Sequence, residues 1–285
     1  MANIDISRAQ RLDQRVVEQI PTLTRSYAVK LISDGKVMIN GEVVTKAGYK
    51  MRDGDIVGVD YDEELFRQIP VIELKVLYED DDCVVIEKPI GLLTHSKGAF
   101  NPEPTVATWL RGRLRSMEGE RAGIVHRLDR ATSGVMICAK TPEAHSWLQK
   151  QFSQRKVKKN YSAVITGHLK ENEAVIDMPL ERNPKKPQTF RVGVNGKSAR
   201  THYIVTREGN TFSLLELKPE TGRTHQLRVH LSQLGHPIVG DTLYGGKEAD
   251  RLFLHAHSLE ITLPSRERKV FTSFVPPEFE DLANE

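Results

Sequence analysis

Little in this chain is suited to redox, metal or membrane chemistry. Only two cysteines, Cys83 and Cys138, occur among 285 residues. Each sits in an apolar, strand-like run, where a small buried hydrophobe is the natural reading and a disulfide or thiolate metal site is not. No Cys/His spacing suits zinc, and neither a Walker-type nor a dinucleotide glycine loop is present. No apolar stretch approaches the ~20 residues that span a bilayer. The opening MANIDISRAQRLDQ lacks the apolar centre of a signal peptide, so a reducing cytoplasm is the expected compartment. Net charge is scarce as well: 41 basic against 38 acidic residues leave +3, which gives no strong whole-chain attraction for a polyanion. With 39% hydrophobic and 28% charged residues, the chain can bury one large core, or a large and a small one.

What is present is local. Arg111, Arg113, Arg115, Arg121, Arg127 and Arg130 crowd one region, and Arg155, Lys156, Lys158 and Lys159 another. Such clusters are either solvated faces or phosphate-binding ones. Inside the first lies His126-Arg127-Leu128-Asp129-Arg130-Ala131-Thr132-Ser133-Gly134, followed at once by the apolar run Val135 to Ala139. That run reads as a buried strand, so the polar stretch is a loop held against the core. Asp129 stands between Arg127 and Arg130, with His126 close in sequence. Positive neighbours favour the ionised form of a carboxylate, which can then act as nucleophile, base or metal ligand. On charge alone, a plain ion pair beside a turn is the better reading.

The residue order adds more. The stretch fits HRLD-x-x-T-S-G and resembles the signature of the RluA-type pseudouridine synthases, which isomerise uridine to pseudouridine in structured RNA. Two further blocks of that family stand in the expected order, Lys88-Pro89-Ile90-Gly91-Leu92 upstream and Gly222-Arg223-Thr224-His225-Gln226-Leu227-Arg228-Val229-His230 downstream. The resemblance covers residues 70 to 275. It implies an α+β fold: a bent mixed, mostly antiparallel sheet with a central cleft and flanking helices. The pattern of many strands following one another directly, with few helices, points the same way.

Residues 1–62 read as a separate small domain. Leu12, Val16 and Ile20 share a helix face that ends at Pro21, and a second helix, capped by Thr24 or Ser26, runs to Asp34-Gly35. Asn40-Gly41 then signals a hairpin between short apolar strands, and a further strand follows Gly54-Asp55. This order resembles the small RNA-binding module shared by a small-subunit ribosomal protein and tyrosyl-tRNA synthetases. By that resemblance Arg25, Lys30 and Lys36 meet RNA phosphates, contacts that orient RNA without reading its sequence. The acidic, proline-ended stretch 63–70 is the expected linker, and 71–285 the catalytic domain.

Within the second domain, strands are expected at 71–78 and 83–88 around an Asp80-Asp81-Asp82 turn. A helix from Thr105 is expected to carry the arginine cluster, and another begins at Pro142 with Trp147 in its apolar face. Lys159-Asn160-Tyr161 opens a strand, 177–200 is either a mobile flap or a surface insertion, and Gln226 onward is helical. Carried over residue by residue, the resemblance makes Asp129 the catalytic carboxylate. It makes Tyr161 the ring that stacks on the uracil, and Arg228 the partner of the aspartate. Arg127 would enter the space of a flipped nucleotide, and Leu227 would wall the pocket.

The implied reaction breaks N1–C1′, turns the uracil and joins C5 to C1′. It has no redox change or net group transfer, so no cofactor and no metal is called for. Asp129 either adds to C1′ or removes the C2′ proton, and the sequence leaves both routes open. The expected partner is structured RNA, ribosomal first and transfer RNA second, for a monomer with no membrane attachment. The alternative is a non-catalytic RNA-binding assembly factor of the same fold.

Overall fold

A computed structural model of the protein describes residues 10–20, 23, 25–61, 70–96, 103–117, 119 and 121–285. The expected linker, apart from Pro70, lies outside the described residues, as do Thr24 and the side chain of Ser26. Helices α1 (Leu12–Gln19) and α2 (Arg25–Ser33) precede strands β1 (Val37–Ile39), β2 (Glu42–Val43) and β3 (Val57–Val59), which form a sheet in the order β2-β1-β3. Leu12, Val16, Ala28, Ile32 and Val37 are fully buried together. Asn40 and Gly41 both take positive φ, 52° and 89°, as a two-residue turn that matches strand twist requires.

The remainder builds a nine-stranded sheet. Strands β4 (Lys75–Glu79), β5 (Cys83–Lys88) and β6 (Ser133–Ala139) form one side. Strands β7 (Lys158–Thr166), β8 (Glu173–Asp177), β11 (Arg200–Glu208) and β12 (Phe212–Pro219) form the other. Between the two sides lies β13 (Leu254–Thr262), giving the path β4-β5-β6-β13-β7-β12-β11-β8, while β14 (Arg268–Thr272) pairs with the far end of β13. Only the β6–β13 contact is parallel, so the sheet is mixed and mostly antiparallel. A hairpin of β9 (Leu180–Arg182) and β10 (Phe190–Val192) stands apart as its own two-stranded sheet. The 177–200 stretch is therefore ordered by strand pairing.

All seven residues of β6 are buried, because both faces are covered. Val84, Ile86, Met136 and Cys138 pack against α3 (Val106–Leu110). Cys83, Val85, Val135 and Ile137 pack against α4 (Pro142–Ser153) and β14. Burial pushes the Cys138 thiol up to about 12 and the Cys83 thiol higher still, so both cysteines are inert hydrophobes. Helix α5 (Gln226–Gln233) buries Leu227 and Leu231 on the β7–β12 half, joined there by Phe279 of α6 (Glu278–Ala283). Gly134 has φ +116°, and a Cβ there would lie 2.2 Å from the Ala256 carbonyl. The glycine is what lets β6 and β13 meet.

Two expectations need correction. The helix after Thr105 spans only Val106–Leu110, and Arg111–Arg113 tighten into a 3-10 turn. The arginine cluster is thus largely off the helix. Arg113 lies over Trp109, Arg115 pairs with Asp81 at 2.9 Å and Arg130 with Glu103 at 2.6 Å. The first strand begins at Lys75, later than the alternation at 71–74 suggests, and the C-terminal helix α6 has no counterpart among the expected elements.

Candidate active site

The loop before β6 is stapled to the segment after β5. Thr94 Oγ1 donates to the Leu128 carbonyl at 2.8 Å and accepts the Leu128 N–H at 3.2 Å. The Gly91 N–H donates to the Arg130 carbonyl. Beneath them Lys88, 0% exposed, donates to the carbonyls of Pro89 and Leu92 at 2.8 Å and of Arg130 at 3.3 Å. Burial pulls this ammonium down to about 7, with Asp129 opposing the shift and Arg130 adding to it. A cation whose donors all point at loop carbonyls fixes the backbone that carries Asp129.

His126 does not join this charge group. Its Nε2 accepts the Ile137 N–H at 3.1 Å and its ring stacks on Phe152 with centroids 4.5 Å apart. Burial, with Lys159 in the same sense, drives its pKa down to about 3. His126 is a neutral structural residue.

Asp129 faces α5. Its Oδ2 lies 3.5 Å from Arg228 Nη1 and 3.8 Å from His225 Nε2. Arg228 is thus brought to Asp129, but its tighter partner is Asp241. Arg228 Nε and Nη2 each meet an Asp241 carboxylate oxygen at 2.7 Å. Burial lowers the Arg228 pKa, but the hydrogen bonds and charge of Asp241, with Asp129 behind them, raise it on balance. The fork–fork pair leaves only Nη1 for Asp129, so the guanidinium is aimed by one carboxylate at another.

Tyr161 on β7 packs against both core regions that meet at the loop. Burial, with the charge of Asp129, pushes its phenol well above the usual range, so it stays protonated. Arg127, Asp129, Tyr161, Leu227 and Arg228 all line one cavity of about 100 Å³. It is small against the ~300–1,000 Å³ of pockets for drug-sized ligands. It shares Arg127, Lys159, Tyr161 and Gly222 with an open groove of about 770 Å³ that also runs past Lys150 and Arg155. Arg127 is exposed and forms no ion pair among the described residues. Lys159 donates to the Thr221 carbonyl at 3.1 Å, and burial pulls it down to about 8.

The five cavity residues inferred from the sequence therefore converge. Sequence reasoning misses Asp241, His225 and Tyr244 as site residues. No cluster of three His, Cys, Asp or Glu among the described residues is arranged to hold a metal ion. Asp80 instead accepts the N–H groups of Asp82 and Cys83 and the Tyr78 hydroxyl, closing a turn. In the small domain Arg25 meets Asp13 at 2.9 Å and Lys36 meets Asp60 at 2.6 Å, while Lys30 has no ion pair among the described residues. Also among the described residues, no helix is long and apolar enough to cross a membrane.

Comparison with known proteins gives the family. Residues 82–233 match the RNA pseudouridylate synthase family, and residues 10–57 match the S4 domain. An uncharacterized RNA pseudouridine synthase of Aquifex aeolicus is 40% identical over 84% of this chain and 78% of its own length. The ribosomal large subunit pseudouridine synthase D of Yersinia pestis is 39% identical over 90% of this chain and 84% of its own. Among solved structures, human RNA pseudouridylate synthase domain containing 1 superposes with a TM-score of 0.60 at 31% identity, covering 73% of this chain and 86% of that one.

Proposed function

We infer, for a chain that belongs to the RNA pseudouridylate synthase family, that its substrate is a uridine of large-subunit ribosomal RNA. The observation that carries the reading is the small cavity bounded by the Asp129 carboxylate, the Tyr161 ring and the Arg228 guanidinium. Relatives named for the large ribosomal subunit support the choice of RNA. The uridine is extruded from its stack to reach the cavity. Arg127, at the junction of cavity and groove, enters the gap it leaves, and the uracil lies on Tyr161 beside Leu227.

Asp129 is the reacting carboxylate. It adds to C1′ or takes the C2′ proton as N1–C1′ breaks, and is restored when C5 bonds to C1′. Arg228 steadies the carboxylate, and Tyr161 keeps the detached base stacked while it turns. Because the phenol stays protonated, Tyr161 contributes its ring face, or a proton relay at C5, and not a phenolate. The small domain, 1–62, holds RNA phosphates through Lys30, which has no ion pair among the described residues, and through Arg25 and Lys36, which exchange carboxylate partners for phosphate. The protein works as a cytoplasmic monomer.

The test is incubation of the full chain with ribosomal and transfer RNA transcripts, followed by chemical mapping of pseudouridine. Stops confined to large-subunit transcripts are expected. Stops confined to transfer RNA would move the substrate, and none with either would remove the assignment.

A further inference from the structure

Tyr244, which follows Asp241 in a 3-10 turn, connects three parts of the molecule. Its hydroxyl accepts the Phe190 N–H from β10 at 2.9 Å and lies 2.7 Å from His225 Nδ1. A phenol has one proton. If Nδ1 carried hydrogen, the Tyr244 oxygen would accept twice and its own proton would need a third partner, which no described residue supplies. If the hydroxyl donates to Nδ1, the phenol proton, Nδ1 and the Phe190 N–H all have partners, and a neutral ring must then hold its proton on Nε2. The ring is neutral because burial pushes its pKa down, with Arg228 and Arg127 in the same sense and Asp129 and Asp241 opposing.

Nε2 faces Asp129. It approaches Oδ2, the oxygen that Arg228 Nη1 also approaches, and Oδ1 has no partner among the described residues. The ring cannot easily turn away. Phe190 and Tyr244 meet it edge-on at centroid distances of 5.7 and 5.5 Å. His225 itself sits in the left-handed region at φ 56°, a conformation that persists in a non-glycine residue only where its surroundings fix it.

We propose that Tyr244 locks His225 in its Nε2–H tautomer, so that the Nε2–H, 3.8 Å away, and Arg228 Nη1, 3.5 Å away, flank Oδ2 of Asp129 and leave Oδ1 as the oxygen that meets the sugar. This rests on the reading of Asp129 as the reacting carboxylate. His225 is a positioning residue, and the Phe190 N–H of the β9–β10 hairpin is the anchor of the relay.

Two measurements on the full chain test it. Imidazole 15N shifts of histidine-labelled protein, with His225 assigned by its absence in His225→Gln, should show Nε2 protonated and Nδ1 bare. Tyr244→Phe keeps the ring under Arg228 and should give a mixed tautomer. Its kcat on a large-subunit transcript should fall on the order of tenfold with KM unchanged, the scale of one hydrogen bond. His225→Gln restores an N–H near the position of Nε2 and should keep several-fold more activity than His225→Leu at equal thermal stability. An Nδ1–H or doubly protonated ring in the unaltered protein would overturn the proposal, and so would equal losses in the Gln and Leu variants. The tautomer is read without turnover, so a failure of the Asp129 assignment would leave the 15N result intact and be recognised separately.

Discussion

Arg228 stands between two carboxylates, and substituting each in turn separates stability from catalysis. Asp241 is 1% and Arg228 9% exposed at the side chain, joined by two bonds of 2.7 Å. Removing one partner of such a buried pair costs about 3–5 kcal/mol. Asn keeps one acceptor oxygen, so Asp241→Asn belongs at the lower end, near ~3 kcal/mol. At about 2–4 °C per kcal/mol for a domain of this size, the melting temperature should fall by roughly 6–12 °C. Asp129 is 19% exposed and 3.5 Å from Nη1, an interaction in the range of ~0–1 kcal/mol. Asp129→Asn should therefore melt within about 3 °C of the unaltered protein. Activity should reverse the ranking: Asp129→Asn abolishes turnover while RNA binding changes only a few-fold. Asp241→Asn loses part of kcat because the guanidinium is no longer aimed. Calorimetry and single-turnover conversion of a large-subunit transcript measure the two effects. Equal melting shifts in the two variants would refute the partition of Arg228 argued from these distances.

Tyr161→Phe should retain most of the activity if stacking is the larger role, and Tyr161→Leu should lose about 1–3 kcal/mol of base stacking, read as weaker binding of single-turnover substrate. Acid should destabilise the fold through His126 and His255, whose pKa values burial depresses to about 3 and about 4. Each stays neutral when folded but takes a proton below about pH 6.5 when unfolded, so stability complete above that pH falls as pH drops toward the folded values, by up to ~1.4 kcal/mol per unit per histidine. A melting temperature flat from pH 7 to 5 would contradict this. Removing residues 1–62 should leave a folded catalytic domain that binds RNA more weakly and with a flatter salt dependence, by ~0.7–0.9 in slope for each phosphate no longer neutralised. An unchanged slope in binding titrations would mean that the small domain does not touch the RNA.

The sheet's inner strands are legible in the sequence because their apolar runs are buried on both faces, as at Val84 to Ile86 and Val135 to Ala139. The Asn40-Gly41 turn is legible because few residues tolerate two successive positive φ values. Asp129, Tyr161, Leu227 and Arg228 follow from motif order, but their convergence in one cavity depends on strand pairings that no local pattern encodes. Asp241 is hidden because it lies 13 residues beyond Arg228, across a turn. His126 misleads because sequence adjacency to Asp129 says nothing of direction: the ring lies at the groove wall, stacked on Phe152, and accepts an N–H from β6. The arginine cluster misleads for a similar reason, since its acidic partners Asp81 and Glu103 are 34 and 27 residues away.

The place of β13 in the sheet has a consequence for how the protein comes into being. Asp129 belongs to the half of the sheet ending in β6, Tyr161 to the half beginning with β7, and among the described residues the two halves share no strand pairing except through β13. The bond between Ser133 and His255 spans 122 residues. At about 5–20 residues per second, a ribosome takes roughly 6–24 s to make that interval. Closing so long a loop costs about 4 kcal/mol of chain entropy before the pairing returns anything. Each half-sheet carries part of the cavity wall, Asp129 on one side and Tyr161 on the other. A chain that still lacks β13 therefore lacks the strand that joins the wall bearing Asp129 to the wall bearing Tyr161.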